Sequence, residues 1–175
     1  MHDLRREEGF DFLMRLAISG CIAAAAPGPP CNTFSCLRMI RPGPPQLRDE
    51  THPYGLPFLQ MPGNEKLKQQ TEDANIIHLS TVAILGNLHT SGGFVSYEQP
   101  PSSLAFCLPE VRYFLVKMQA HTVQTPARRW GCDLTKSWAF LFVLCKAEPT
   151  RQYLPALRRN APSYCGSVRH QWRIS

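Results

Sequence analysis

Apolar residues along the chain follow two patterns, one typical of helices and one typical of strands. Recurrence every three or four positions predicts helices over residues 4–18, 65–89 and 104–117. Short apolar or aromatic runs bounded by glycine, proline or polar residues predict strands over residues 21–26, 94–98, 120–125 and 137–145. The first of these strands carries no charge, so we expect it to be buried within the sheet.

The order of these elements predicts an α/β fold. A strand, a crossover helix and a second strand place residues 21–26 and 94–98 side by side and parallel. The last two strands are joined by a short connection that contains glycine, which favours an antiparallel pair. We therefore expect one domain over residues 1–145, with a mostly parallel sheet that ends in a C-terminal antiparallel hairpin. Residues 146–175 are rich in arginine and are expected to form a basic, flexible tail.

A stiff loop follows the first strand, because residues 27–30 contain three prolines and one glycine. Cys31 comes next, just past the carboxyl end of a strand. Open α/β sheets bind ligands and place reactive groups at that edge. A thiolate held there would be a nucleophile, although a proline-rich turn around a buried thiol has the same sequence pattern.

This loop resembles the proline–cysteine motif of the DNA cytosine-5 methyltransferase family. The positions that match the motif are Gly28, Pro29, Pro30, Cys31, Phe34 and Ser35. The resemblance implies that Cys31 is the catalytic nucleophile, which adds to C6 of a cytosine flipped out of the duplex. It also implies a partial Rossmann-like sheet of the class I methyltransferase type.

A second resemblance lies at the end of the strand over residues 94–98. Glu98 precedes Gln99 and two prolines, which is similar to the glutamate–asparagine motif of the same family, with glutamine in place of asparagine. The resemblance implies that Glu98 is the catalytic acid, which protonates N3 of cytosine as the thiolate attacks. Both strands are expected to end at the same sheet edge, so Glu98 and Cys31 are expected to face one crevice.

The family uses S-adenosyl-L-methionine, and the resemblance makes Asp3 and Pro29 candidates for contact with this cofactor. For Asp3, a plain helix cap is the alternative. No Gly-x-Gly turn occurs in the chain, although such a turn lets the backbone approach a nucleotide cofactor. We therefore expect an incomplete cofactor site, and a complementary chain that supplies the remaining part is a candidate partner.

DNA is the expected second partner. The net charge of +6 and the pI near 9.1 suit a nucleic-acid partner. The resemblance and the local charge make six residues candidates for nucleic-acid contact, which are Ser35, Arg38, Arg41, Arg128, Arg129 and Lys136. Arg48 is interpreted in the same way, as a group that can meet phosphates. Solvated loop charges are the alternative for all the arginines.

The cysteines, the apolar runs and the histidines limit the kinds of site and partner that the chain is expected to have. The seven cysteines include no C-x-x-C pair, so neither a disulfide framework nor a zinc site is predicted, and an intracellular location, nuclear or cytoplasmic, is expected. We expect no membrane partner, because no apolar run approaches the roughly 18 residues that span a bilayer. His78 and His89 are interpreted as surface or hydrogen-bonded histidines. The alternative function is a non-enzymatic, basic nucleic-acid-binding protein, or a remnant of a mobile element.

Overall fold

The computed structural model describes residues 3–40, 42–126 and 137–143. For residues 137–143 it describes the backbone only. Three α-helices are present in this part of the chain, which are α1 (Glu7–Ile18), α2 (Glu65–Thr90) and α3 (Pro109–Lys117). The four strands are β1 (Ala24–Ala25), β2 (Phe94–Gln99), β3 (His121–Pro126) and β4 (Ser137–Val143). Single turns of 3₁₀-helix cover Cys36–Met39, Pro57–Gln60 and Leu104–Cys107.

The four strands form one mixed sheet in the order β1-β2-β4-β3. The long helix α2 crosses from β1 to β2, and these two strands are parallel, with Ala24 opposite Phe94. β4 pairs antiparallel with both β2 and β3. The parallel pair and the antiparallel hairpin are thus confirmed. The prediction of a mostly parallel sheet is wrong for the described strands, because a single crossover gives one parallel pairing beside two antiparallel ones.

The first strand is shorter and more exposed than predicted. Only Ala24 and Ala25 pair with β2, and Ala24 is exposed while Ala25 is half-buried. Two causes act together: alanine is a poor strand former, and β1 lies at the edge of the described sheet. The expectation of a buried strand over residues 21–26 is therefore wrong, although its position beside β2 is right.

The hydrophobic core lies between the helices and β2. Its cluster includes Leu85 and Leu88 from α2, Tyr97 from β2, and Val111 and Phe114 from α3. Burying each of these side chains contributes about 1.5–3 kcal/mol to folding. The core therefore fixes α2 against β2, the strand that carries Glu98, next to the candidate site.

Several predicted features lie outside the described residues. These are Arg41, Arg128, Arg129, Lys136 and the tail of residues 146–175, so their roles stay predictions. Across the helices that the structure does describe, none combines the length and the apolar character needed to cross a bilayer.

Candidate active site

Residues 27–35, called the Cys31 loop below, lie against the carboxyl end of β2. The Glu98 amide donates to the Pro27 carbonyl at 3.0 Å, and the Leu104 amide donates to the Phe34 carbonyl at 2.9 Å. The loop is therefore tied at its start to β2 and at its end to the segment that follows β2. This confirms that the two strand ends meet at one edge of the sheet.

Glu98 approaches the loop most closely at Gly28. A Cβ atom built on Gly28 would lie 3.2 Å from Oε2 of Glu98, so a larger residue at position 28 would displace the carboxyl group. Glu98 is half-buried, and its carboxyl oxygens have no hydrogen-bond partner among the residues that the structure describes. The carboxyl group thus lies over the backbone of the Cys31 loop and is not bound to another side chain.

Prolines make this loop stiff but also deprive it of donors. Pro27, Pro29 and Pro30 have no N–H group, so the carbonyl groups nearby need partners from elsewhere. A buried carbonyl without a partner costs about 1–3 kcal/mol. In the structure, each carbonyl group from residue 29 to residue 34 accepts a hydrogen bond, and four of the donors are side chains.

Gln99 supplies the first of these side-chain donors. Its Nε2 donates to the Pro29 carbonyl at 2.7 Å, and its Oε1 accepts from the Ser103 hydroxyl at 2.9 Å. Gln99 is 1% exposed, so both groups are bonded in the interior. The residue that departs from the family motif is therefore directly bonded to the loop that carries the candidate nucleophile.

His78, in the middle of α2, supplies the second donor. Its Nε2 lies 3.1 Å from the Pro30 carbonyl, and its Nδ1 bonds to the Tyr97 hydroxyl. Burial lowers the pKa of His78 to about 4, so the ring is neutral at neutral pH. The interpretation of His78 as a hydrogen-bonded histidine is confirmed. Its contact with the Cys31 loop was not predicted, because His78 is one of several polar residues buried along α2 and local sequence does not distinguish it from the others.

Arg48 supplies a third donor and is the most deeply buried charged residue described, with 1% of its surface exposed. Its guanidinium lies 3.6 Å from the centre of the Phe34 ring. It donates only to neutral oxygens, which belong to Thr33, Pro53, Thr71 and Asn75. Burial, with a smaller contribution from the charge of Arg38, lowers its pKa to about 9. The interpretation of Arg48 as a phosphate contact is wrong, because the side chain is enclosed.

Two predicted nucleic-acid contacts have roles within the protein. Arg38 donates from Nε to the Asn32 carbonyl at 2.7 Å and from Nη1 to the Pro45 carbonyl at 3.0 Å. The Ser35 hydroxyl accepts from the Leu37 amide at 3.2 Å and caps the 3₁₀-helix Cys36–Met39. Both residues are half-buried, so their contact with DNA stays a prediction.

Cys31 itself is half-exposed and has a free thiol. Its carbonyl accepts from the Phe34 amide at 3.0 Å, which closes a turn directly after it. A stiff loop, a half-exposed cysteine and a carboxyl group against the same loop at Gly28 are components that covalent catalysis on a planar ring can use.

The two cofactor candidates, in contrast, both have hydrogen-bond partners within the protein. Both carboxyl oxygens of Asp3 bond to Arg5, which lowers the pKa of Asp3 to about 2. Asp3 also does not cap α1, since the capping position belongs to Arg6. Pro29 is buried, and its carbonyl is bonded to Gln99. Contact of Asp3 and Pro29 with S-adenosyl-L-methionine therefore stays a prediction.

No protein-family model, no curated protein and no solved structure matches the chain. The function of the site is therefore inferred from its geometry and chemistry.

Proposed function

We propose that this chain carries the catalytic nucleophile and acid of a DNA cytosine-5 methyltransferase-like centre, with Cys31 and Glu98 in these two roles. The observation that carries the proposal is the close approach of the two motifs. The Glu98 carboxyl group lies over Gly28, and Gln99, the next residue, donates to Pro29. The two short sequence matches, 67 residues apart by their numbering, thus belong to one site.

The proposed reaction begins with covalent addition to the base. Cys31 loses its proton to solvent, and the sulfur electron pair forms a bond to C6 of cytosine. The C5=C6 electron pair becomes a C4=C5 bond, and the C4=N3 pair takes a proton from the Glu98 carboxyl group. The product is an enamine whose C5 atom is nucleophilic. C5 then takes an electrophile, which is a deuteron in heavy water and would be a methyl group with the cofactor bound. Loss of the original C5 proton, return of the N3 proton to the Glu98 carboxylate and expulsion of the thiolate restore the aromatic ring and the free cysteine.

The protein promotes this addition mainly by holding the Cys31 loop in position, and less by electrostatic stabilisation. The Cys31 loop is fixed before substrate binds, because its carbonyl groups already have partners. Preorganisation of this kind lowers the entropic part of the barrier. A flipped or single-stranded base is required, since C6 is inaccessible within a stacked duplex.

S-adenosyl-L-methionine is the methyl donor in this proposal. Its site is proposed to be completed by a complementary chain, since Asp3 and Pro29 are already bonded within the protein. The parallel pair β1–β2 and the hairpin β3–β4 support a partial Rossmann-like sheet of the class I methyltransferase type. An intracellular location and a DNA partner belong to the same proposal.

Exchange of the cytosine C5 hydrogen tests the addition without any cofactor. Addition at C6 makes C5 nucleophilic, so C5 takes a deuteron from heavy water. Loss of the original C5 proton with expulsion of the thiolate then leaves deuterium at C5. A single-stranded oligonucleotide with one cytosine is incubated with the chain in heavy water and analysed by mass spectrometry. We expect exchange with the parent chain and with the control variant Cys21→Ser, which changes an exposed cysteine.

The catalytic variants give the other half of this test. Cys31→Ser should abolish the exchange, and Glu98→Gln should slow it by roughly 100-fold, which is typical of the loss of a general acid. Circular dichroism and urea unfolding verify that each variant is folded. No exchange by the folded parent chain, or equal exchange by the Cys31→Ser variant, would contradict the proposal.

A further inference from the structure

His78 contacts the Cys31 loop on both sides of the cysteine. Its Nε2 lies 3.1 Å from the Pro30 carbonyl, directly before Cys31. Its ring centre lies 4.3 Å from that of Phe34, three residues after Cys31. One buried side chain thus fixes both ends of the short segment that carries the thiol.

The Pro30 carbonyl and the Tyr97 hydroxyl together fix which nitrogen of His78 carries the proton. A carbonyl oxygen can only accept, so the bond to Pro30 requires the proton on Nε2. Nδ1 is then an acceptor, and the Tyr97 hydroxyl donates to it. Both side chains are fully buried. Burial lowers the pKa of His78 to about 4 and raises the pKa of Tyr97 well above its usual range, so both stay neutral at neutral pH.

This arrangement orients the peptide group between Pro30 and Cys31. In a trans peptide the C=O and N–H bonds point in opposite directions. Because the Pro30 carbonyl faces His78 in the interior, the Cys31 amide faces the opposite side, away from α2. The partial negative charge of the carbonyl oxygen is therefore kept on the interior side of the loop.

We propose that His78, oriented by Tyr97, is the positioning residue of the Cys31 nucleophile, and that it stabilises the thiolate by holding the Pro30 carbonyl in the interior. The inference rests on the nucleophilic role proposed for Cys31. When His78 cannot donate, the peptide group is free to rotate. A carbonyl oxygen that turned toward the sulfur would disfavour its negative charge.

The rate at which iodoacetamide alkylates Cys31, measured from pH 6 to 10, tests this positioning. Peptide mass spectrometry reads Cys31 and the exposed Cys21 in the same sample, so Cys21 is the internal reference. In His78→Leu we expect the pH midpoint of Cys31 alkylation to rise, with a roughly threefold lower rate at neutral pH. Tyr97→Phe should cause a smaller rise in the pH midpoint, because it removes the hydroxyl that donates to Nδ1 of His78 and so favours the tautomer with the proton on Nε2.

His78→Gln is the matched rescue variant, since its side-chain amide can donate to the Pro30 carbonyl. We expect it to restore the parent pH midpoint, whereas a purely structural role would lower the urea midpoint without changing the pH profile of the folded chain. If His78→Leu does not fold, the comparison of Tyr97→Phe with His78→Gln decides the question.

Three results would overturn the inference: unchanged Cys31 profiles in the folded Leu and Phe variants, equal shifts at Cys21 and Cys31, or no rescue by Gln. Alkylation uses no DNA, so its outcome is independent of the deuterium exchange that tests the proposed function.

Discussion

The chain contains the tetrapeptide Pro-Gly-Pro-Pro twice, at residues 27–30 and at residues 42–45, and the two copies have different environments. In the first copy, the carbonyl groups of Pro27, Pro29 and Pro30 all accept hydrogen bonds, and Pro29 is buried. In the second copy, all four residues are exposed, and among the described residues only Arg38 donates a side-chain hydrogen bond to it, at the Pro45 carbonyl. The same local sequence therefore forms a fixed part of the site in one place and a surface loop in the other.

The comparison shows that proline alone does not fix the Cys31 loop. Proline restricts φ equally in both copies. The first copy differs because α2 and β2 supply donors to its carbonyl groups, and these hydrogen bonds keep the carbonyl groups in one orientation. Substitutions of buried groups that fix the Cys31 loop should therefore cost more stability than substitutions at the exposed second copy.

Substitution of Arg48 is expected to cause the largest loss in the free energy of unfolding. Arg48→Met removes five hydrogen bonds and leaves buried oxygens without partners, so we expect a loss of about 3 kcal/mol in the free energy of unfolding. Arg38→Met is the matched control. It removes two bonds from a half-buried side chain and should cost about 1 kcal/mol. Urea denaturation at pH 7 measures both, and equal losses would contradict the structural role assigned to Arg48.

Low pH should lower the free energy of unfolding through His78, which donates to the Pro30 carbonyl of the first tetrapeptide. Its pKa is about 4 in the folded protein and about 6.5 when unfolded. Between these values the unfolded chain binds more protons, so stability is full above pH 6.5 and falls as the pH decreases toward 4. From pH 7 to pH 5 we expect a loss of about 2 kcal/mol. His78→Gln should remove this part of the pH dependence in urea titrations, and an unchanged slope would argue against it.

The two tetrapeptides can be compared directly by one substitution in each. Pro29→Ala and Pro44→Ala both increase the entropy of the unfolded chain, which costs about 0.4–1 kcal/mol in each case. Pro29 is also buried, so its substitution should cost about 1 kcal/mol more than that of Pro44. Thermal unfolding measures the difference, and equal costs would mean that burial does not distinguish the copies.

Local sequence predicted the framework of the site better than its interior. Periodicity and a single crossover were sufficient for the parallel pair, because helix and strand patterns are local. The contact between the Cys31 loop and the end of β2 followed, since the loop and Glu98 both come at the carboxyl ends of neighbouring parallel strands. The length and burial of β1 were predicted wrongly, because they depend on what pairs with its outer edge.

The donors that fix the loop could not be predicted from local patterns. Gln99 is 70 residues from its partner Pro29, and His78 is 48 residues from Pro30. Arg48 was interpreted as a phosphate contact because an arginine in a proline-rich segment usually lies in solvent. Its burial depends on the stacking against Phe34 and on Asn75 of α2, which only the tertiary structure brings together.

Identification of the cysteine that attaches to a reactive base tests the account most directly. An oligonucleotide with one 5-azacytosine, whose C6 atom is more electrophilic than that of cytosine, is incubated with the folded chain, digested and analysed by peptide mass spectrometry. The account predicts a covalent adduct at Cys31, lost in Cys31→Ser and retained in Cys21→Ser. No adduct with the folded parent chain, or an adduct that persists in Cys31→Ser, would contradict the role of Cys31 as the nucleophile.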